Sequence, residues 1–323
     1  MRKPVVEIFL AAFLVLVSVS ASLAEYPDRG LKLYVAWPPG GTTDAVGRFV
    51  ADQLAADFKQ PVVVENKSGA NGNIGAETFS KLPPDGYSLM IATAETHAIN
   101  PHVYKSVGYD SIKDFEPIAL LAQVSFVLVV KADLPVNNVQ EFIKLAKSSP
   151  SRITVGSYGV GSTSHLALAA LEEKTGASFL HVPYRGLSPA VNAILTGEID
   201  AVFVSPAGVV GLEKSGKVKL LGVASPHRLA IISNVPTFAE QGVPDFANGN
   251  WYGIVAPRGL PAQIRQRLES EIAKIGGSEL FKQRVTAAGA EVRYLDAAQF
   301  TEFLRSENAR WNKIVQERKI KVE

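Results

Sequence analysis

The 323-residue chain has no cysteine, only two methionines, and almost no excess of either charge, with 33 Lys and Arg against 31 Asp and Glu. Without cysteine it is neither a disulfide scaffold nor a lipid-anchored lipoprotein, and its stability must come from a packed core. The charge balance and the lack of a basic block argue against nucleic acid or an anionic membrane surface as the main partner. No segment is repetitive or low in complexity. Metal and catalytic signatures are also missing. The five histidines, His97, His102, His165, His181 and His227, form no H-x-x-x-H or H-E-x-x-H spacing, and Asn100-Pro101 breaks any helix between the first two. No G-x-S-x-G elbow and no P-loop occur, so neither a cofactor nor a metal is expected.

What is present begins at the amino end. Arg2 and Lys3, an apolar run over residues 8–17, and Ser22-Leu23-Ala24 before Glu25 have the form of a secretory signal cleaved after Ala24. The apolar run is short for a membrane span, and no later one approaches the roughly 18 residues that a span requires. Export of a soluble chain is therefore expected. Roughly 299 residues would remain, with 31 basic against 30 acidic side chains, enough for two compact domains.

Strand-like runs rich in Val, Ile and Leu alternate with helical patterns, at residues 31–36, 61–65, 88–92, 126–131, 153–157, 200–204 and 218–224. The alternation points to an α/β fold, and the near-continuous apolar runs predict mainly parallel sheets covered by helices on both faces. Two crossings, at residues 123–132 and 248–257, divide the chain into one lobe of residues 25–124 plus 250–323 and a second of residues 125–249. A hinge would then lie behind a ligand cleft. The amphipathic patterns over residues 261–275 and 297–317 suit helices that cover the first sheet, or alternatively a small third subdomain.

Two turns carry the functional signal. Trp37-Pro38-Pro39-Gly40-Gly41-Thr42-Thr43-Asp44 joins a strand to a helix, and its glycines allow close backbone approach while the helix start offers free N–H groups to an anion. Gly159-Val160-Gly161-Ser162-Thr163-Ser164 repeats the design between another strand, ending at Ser157, and the helix that begins near His165. Two such cradles suit the two ends of one acidic ligand. Asp44 is read either as a cap or as a ligand contact, and His165 either as a contact or as packing. Ser162 or Ser164 with His165 also leaves open a secreted hydrolase or isomerase acting on a small carboxylic acid, although sequence neighbours seldom form a triad.

A family resemblance rests on longer strings. Pro38 to Asp44, Pro61-Val62-Val63-Val64-Glu65-Asn66, Gly69-Ala70-Asn71-Gly72-Asn73-Ile74-Gly75-Ala76 and Pro84-Asp85-Gly86-Tyr87 closely resemble the Bug-type substrate-binding proteins of tripartite tricarboxylate transporters. His181-Val182-Pro183-Tyr184-Arg185-Gly186, Gly197-Glu198-Ile199-Asp200 and Val235-Pro236-Thr237-Phe238-Ala239-Glu240 continue the match through the chain. The resemblance implies a periplasmic, two-lobed binding protein of type II, a monomer that delivers a small organic acid to a large and a small integral-membrane permease subunit. It also implies that the turns at residues 40–44 and 161–163 hold a ligand carboxylate, partly through ordered water.

Two departures from the family pattern bear on the ligand. Glu95 stands in a loop usually made of small hydroxyl residues and glycine, where a carboxylate would repel an acid unless turned outward, protonated or paired with a cation. Val204 and Ser205 stand where Asp and Asn are frequent. Val204 then either lines an uncharged ligand midsection or ends a buried strand, and Trp37 either stacks on a ligand ring or packs under the hinge. The candidate ligand-binding set is Gly40, Gly41, Thr42, Thr43, Asp44, Thr93, Glu95, Ser157, Gly161, Ser162, Thr163, His165 and Ser205, with Arg185 as a further cation. The expected ligand is a dicarboxylate, aliphatic or aromatic, with an amino acid or a ring monocarboxylate as alternatives.

Overall fold

The computed structural model describes residues 26–322, so the signal segment at residues 1–24 lies outside the described residues. Two sheets organise the chain. The first contains β1 (Leu31–Val35), β2 (Val62–Asn66), β3 (Ser88–Ala92), β4 (Phe115–Ser125), β10 (Gly249–Pro257) and β11 (Glu291–Leu295), in the order β11-β4-β10-β3-β1-β2. The second contains β5 (Val127–Lys131), β6 (Thr154–Ser157), β7 (Leu180–Pro183), β8 (Ala201–Val204) and β9 (Val218–Val223), in the order β7-β6-β8-β5-β9.

Both sheets are mixed, and most strands of each run one way, as expected: only β10 and β11 in the first and β5 in the second are reversed. The pairs β1 with β2, β1 with β3, β6 with β7 and β6 with β8 are parallel, whereas β10 runs against β3 and β4, β11 against β4, and β5 against β8 and β9. The antiparallel members include the strands that carry the chain between sheets. β4 passes into β5 with only Phe126 between them, and β10 brings the chain back alongside β4 in the opposite direction. Burial on both faces produces the same apolar run in either direction, so hydropathy could not report it.

Where the chain crosses, three backbone hydrogen bonds close a ring. The Phe126 N–H donates to the Asn248 carbonyl (2.9 Å), the Asn248 N–H to the Ala224 carbonyl (3.0 Å), and the Ala224 N–H to the Phe126 carbonyl (2.8 Å).

Helices cover the sheets by simple periodicity. In the helix Thr42–Phe58, Val46, Val50, Leu54 and Phe58 recur every fourth residue and are buried. The helix Ala297–Glu317 starts with a capping box between Asp296 and Gln299 and buries Phe300, Leu304 and Trp311, with Phe300 edge-on to Trp251 of β10 at 5.7 Å. With the helix Ala262–Gly276 it packs on the first sheet's core, so the tail forms no separate subdomain. The helix Thr163–Thr175 is apolar around most of its girth. Leu166 and Ala169 join a core with Trp251 and Phe300, while Leu168 and Leu171 join the other large core, which wedges this helix between the two halves.

Candidate functional site

The first cradle follows β1. Gly40 adopts φ +93°, which an L side chain resists, and Gly41 precedes the helix Thr42–Phe58 in extended conformation with no side-chain cap. The N–H groups of Thr42, Thr43 and Asp44 therefore have no acceptor among the described residues. Asp44 turns back to hold the loop. Its Oδ2 accepts from the Gly40 N–H (3.0 Å) and Arg48 Nε (2.9 Å), and its Oδ1 accepts from Asn66 Nδ2 (2.9 Å), which also donates to the Trp37 carbonyl. Burial alone would raise the Asp44 carboxyl, but the hydrogen bonds from Arg48, Gly40 and Asn66 outweigh it and hold it below the usual carboxylate range.

The second cradle follows β6. Its hydroxyls are engaged in shaping the turn: Ser162 Oγ donates to the Gly159 carbonyl (2.7 Å) and accepts from the His165 N–H (3.3 Å), and Ser164 Oγ donates to the Phe203 carbonyl (2.8 Å). Ser157 Oγ lies 2.7 Å from His181 Nε2 and 3.1 Å from the Gly159 carbonyl. The Gly161 N–H donates to His165 Nδ1 (3.1 Å), which places the proton of a neutral His165 ring on Nε2. The rings of His165 and His181 stack at 3.8 Å and 4°. Burial, with the neighbouring His181, lowers His165 to about 3, and burial lowers His181 to about 4, so both are neutral near pH 7. Among the described residues no serine hydroxyl contacts the His165 ring, so the pairing of Ser162 or Ser164 with His165 is not formed. What remains for an anion is the helix start itself, the N–H groups of Thr163 and Ser164.

Glu95 connects the two cradles. Thr93 is buried after β3, with its N–H on Thr96 Oγ1 (3.2 Å), and Glu95 follows at the head of a wide helical turn, Glu95–Ile99. The Glu95 carboxylate is only 3 % exposed and accepts from Thr163 Oγ1 (2.7 Å) and Asn250 Nδ2 (2.8 Å), so it spans from the first sheet's side to the second cradle. Tyr252, buried two residues beyond Asn250 in β10, senses both Glu95 and the Thr42 and Thr43 hydroxyls of the first cradle. Burial and the Glu95 charge push its phenol up, and those hydroxyls pull the other way. Tyr158, next to the Ser205 backbone, also senses Glu95, and its buried hydroxyl has no partner among the described residues. The cover over the second cradle is completed by Asn71 Nδ2, 3.4 Å from the Gly161 carbonyl, and by Val103, against which any side chain on Gly161 would press.

The structure thus joins Glu95 to Thr163 directly, while Asp44, Ser157, Ser162 and His165 brace the turns. Arg185 is exposed and makes no side-chain hydrogen bond or ion pair among the described residues. Val204 is the buried end of β8, opposite Val127, as one of its two readings has it. Trp37 packs against Gly72 and joins two cores, with a buried Nε1 that has no partner among the described residues. Tyr158, Tyr252, Asn250 and Asn71 were absent from the candidate set. Asn250 and Tyr252 sit in the Asn-Trp-Tyr run of the crossing strand, and Tyr158 stands inside the second turn, so position next to named motifs was the available signal. A separate cavity of about 330 Å³ at the crossing, lined by Ser125, Asn248, Arg293 and Arg310 among others, shares no residue with either cradle.

Comparison with known proteins places these features in one group. The family described as "Tripartite tricarboxylate transporter family receptor" matches residues 46–320. A R. palustris protein solved with adipate is 33% identical with a TM-score of 0.84, covering 90% of this chain and 98% of its own. The periplasmic binding protein BugD is 31% identical with a TM-score of 0.80, covering 92% of this chain and 100% of its own. MatC from Rhodopseudomonas palustris, solved with bound malate, is 29% identical with a TM-score of 0.79, covering 90% of this chain and 100% of its own.

Proposed function

The chain belongs to the tripartite tricarboxylate transporter receptor family, a family of periplasmic solute receptors and not of enzymes, and from that premise we propose that it captures a small dicarboxylate between its lobes. The observation that carries the reading is the pairing of two helix starts. Thr42–Phe58 follows β1 of the first sheet and Thr163–Thr175 follows β6 of the second, each presents N–H groups without acceptors among the described residues, and Glu95, which follows β3 of the first sheet, accepts from Thr163 at the second helix start. Adipate and malate, held by two of the similar proteins, each carry two carboxylates.

In this reading the lobes are residues 25–124 plus 250–323 and residues 125–249, with the signal cleaved after Ala24. One carboxylate sits on the Gly40, Gly41, Thr42 and Thr43 turn. The other sits on the Gly161, Ser162 and Thr163 turn, with water filling the gaps and Tyr158 as an added donor. Closure follows because the second carboxylate meets its cradle only when the lobes are shut, which gives the ligand its differential affinity. The loaded monomer then delivers the acid to one large and one small membrane subunit.

Thermal unfolding of the mature protein, refolded to strip carried ligand, tests this against dicarboxylates, tricarboxylates and monocarboxylates. A ligand at 100 times its dissociation constant adds roughly 2.7 kcal/mol. Acids with two carboxylates should stabilise and the monocarboxylates of the same skeleton should not. Thr42→Val should weaken binding by about 1–3 kcal/mol. Equal response to mono- and dicarboxylates would sink the two-cradle assignment.

A further inference from the structure

Four carboxylates are buried among the described residues: Asp44, Glu95, Glu271 and Glu307. Three of them have cationic partners. Asp44 meets Arg48 at 2.9 Å, Glu271 meets Arg267 at 3.1 Å and Lys274 at 2.9 Å, and Glu307 meets Arg310 at 3.2 Å. Glu95 has none among the described residues, only the neutral donors Thr163 and Asn250. A buried carboxylate without a counter-charge is costly, and this one lies between two sites built for anions, where a plain dicarboxylate would add two more negative charges.

We propose that the preferred ligand carries a cationic nitrogen, an ammonium on the carbon chain between or beside its two carboxylates, and that Glu95 is the residue that selects it. This rests on the dicarboxylate reading above and narrows it. The nitrogen supplies the counter-charge that the other three buried carboxylates find within the protein. The buried Tyr158 hydroxyl, without a side-chain partner among the described residues, and Tyr252, two residues beyond the Glu95 partner Asn250, both sense the Glu95 charge and add an acceptor and an aromatic ring to this part of the molecule. Glu95 also holds Thr163 of the second lobe, so a ligand ammonium would strengthen the closed arrangement directly.

The test is calorimetric titration of the refolded mature protein with matched pairs that differ only in the amino group: succinate and aspartate, glutarate and glutamate, adipate and 2-aminoadipate. At the chain length that fits, the amino member should bind about tenfold tighter or better, equivalent to roughly 1.4 kcal/mol. Glu95→Gln should collapse or invert that ratio while raising affinity for the plain acid. A plain acid that binds the wild type as tightly as its amino partner overturns the inference and leaves the dicarboxylate reading standing, and so does a ratio that Glu95→Gln leaves unchanged. No binding by either member at any length removes both. The wild-type ratio is read independently of how well the variant folds.

Discussion

The first cradle is braced by charge and the second by neutral groups. Asp44 draws Arg48, Asn66 and the Gly40 N–H onto one carboxylate, and the turn it holds stays partly open to solvent. In the second, serine hydroxyls and two stacked imidazoles do the same work under cover of Asn71 and Val103. The comparison teaches that an anion site needs only correctly aimed N–H groups. The brace behind them is free to differ, and each brace carries its own sensitivity to mutation and to pH.

The largest separation should come from removing one brace at a time. Asp44→Ala leaves three donors without their acceptor and should lower unfolding stability by about 3 kcal/mol in denaturant titration, tempered by the half-exposed Arg48. Ser162→Ala removes a cap and the hydroxyl's bond to the Gly159 carbonyl and should cost about 1 kcal/mol. Equal losses would mean that the two braces are energetically alike.

Acid should next distinguish them. His165 and His181 lie below the ordinary imidazole value of 6.5, so the unfolded chain binds more protons than the folded one between that value and about 4. The stability they represent is complete above pH 6.5 and is lost as pH falls toward 4. Buried His97, lowered to about 3, acts in the same window, so the pair is isolated by comparing wild type with His181→Gln. The variant should lose about 2 kcal/mol less over that range. Asp44, also lowered, keeps its contribution above the usual carboxylate value and gives it up only at lower pH. Parallel acid curves for wild type and variant would refute the neutral brace.

A smaller contrast separates the glycines. Gly161→Ala combines φ +76° with a Cβ 2.6 Å from Val103, and should cost about 2 kcal/mol and weaken ligand binding. Gly40→Ala meets nothing within 4 Å and should show only its φ strain, about 1 kcal/mol. Smallest of all, Ser164→Ala loses one buried hydrogen bond to Phe203, about 1 kcal/mol of stability at most, and should leave acid binding unchanged.

Most strands and both glycine turns were legible because each is written locally, Val and Ile runs for burial and Gly with Thr or Ser for a helix start; β4, which carries Pro117, and the short β7 were missed. The reversal of β5, β10 and β11 was not legible, since the same apolar run serves either direction. β11 escaped notice because Glu-Val-Arg-Tyr-Leu is a half-exposed edge strand with little apolar signal. Within the site, Glu95 stood out as a departure, but its partners, Thr163 and Asn250, lie 68 and 155 residues away and only folding brings them to it. The engagement of Ser157 depends on His181, 24 residues further on. Residue types thus announced the cradles, and long-range pairing decided which hydroxyls were left for a ligand.

The ring at the crossing has an evolutionary consequence. Phe126, Ala224 and Asn248 are linked through main-chain atoms alone, so among single replacements only proline would delete one of its donors. Such a joint works like an axle whose bearings are indifferent to the paint on the wheels. Specificity can drift at Glu95 or in the turns, and a descendant can change its solute without rebuilding the machinery that opens and shuts around it.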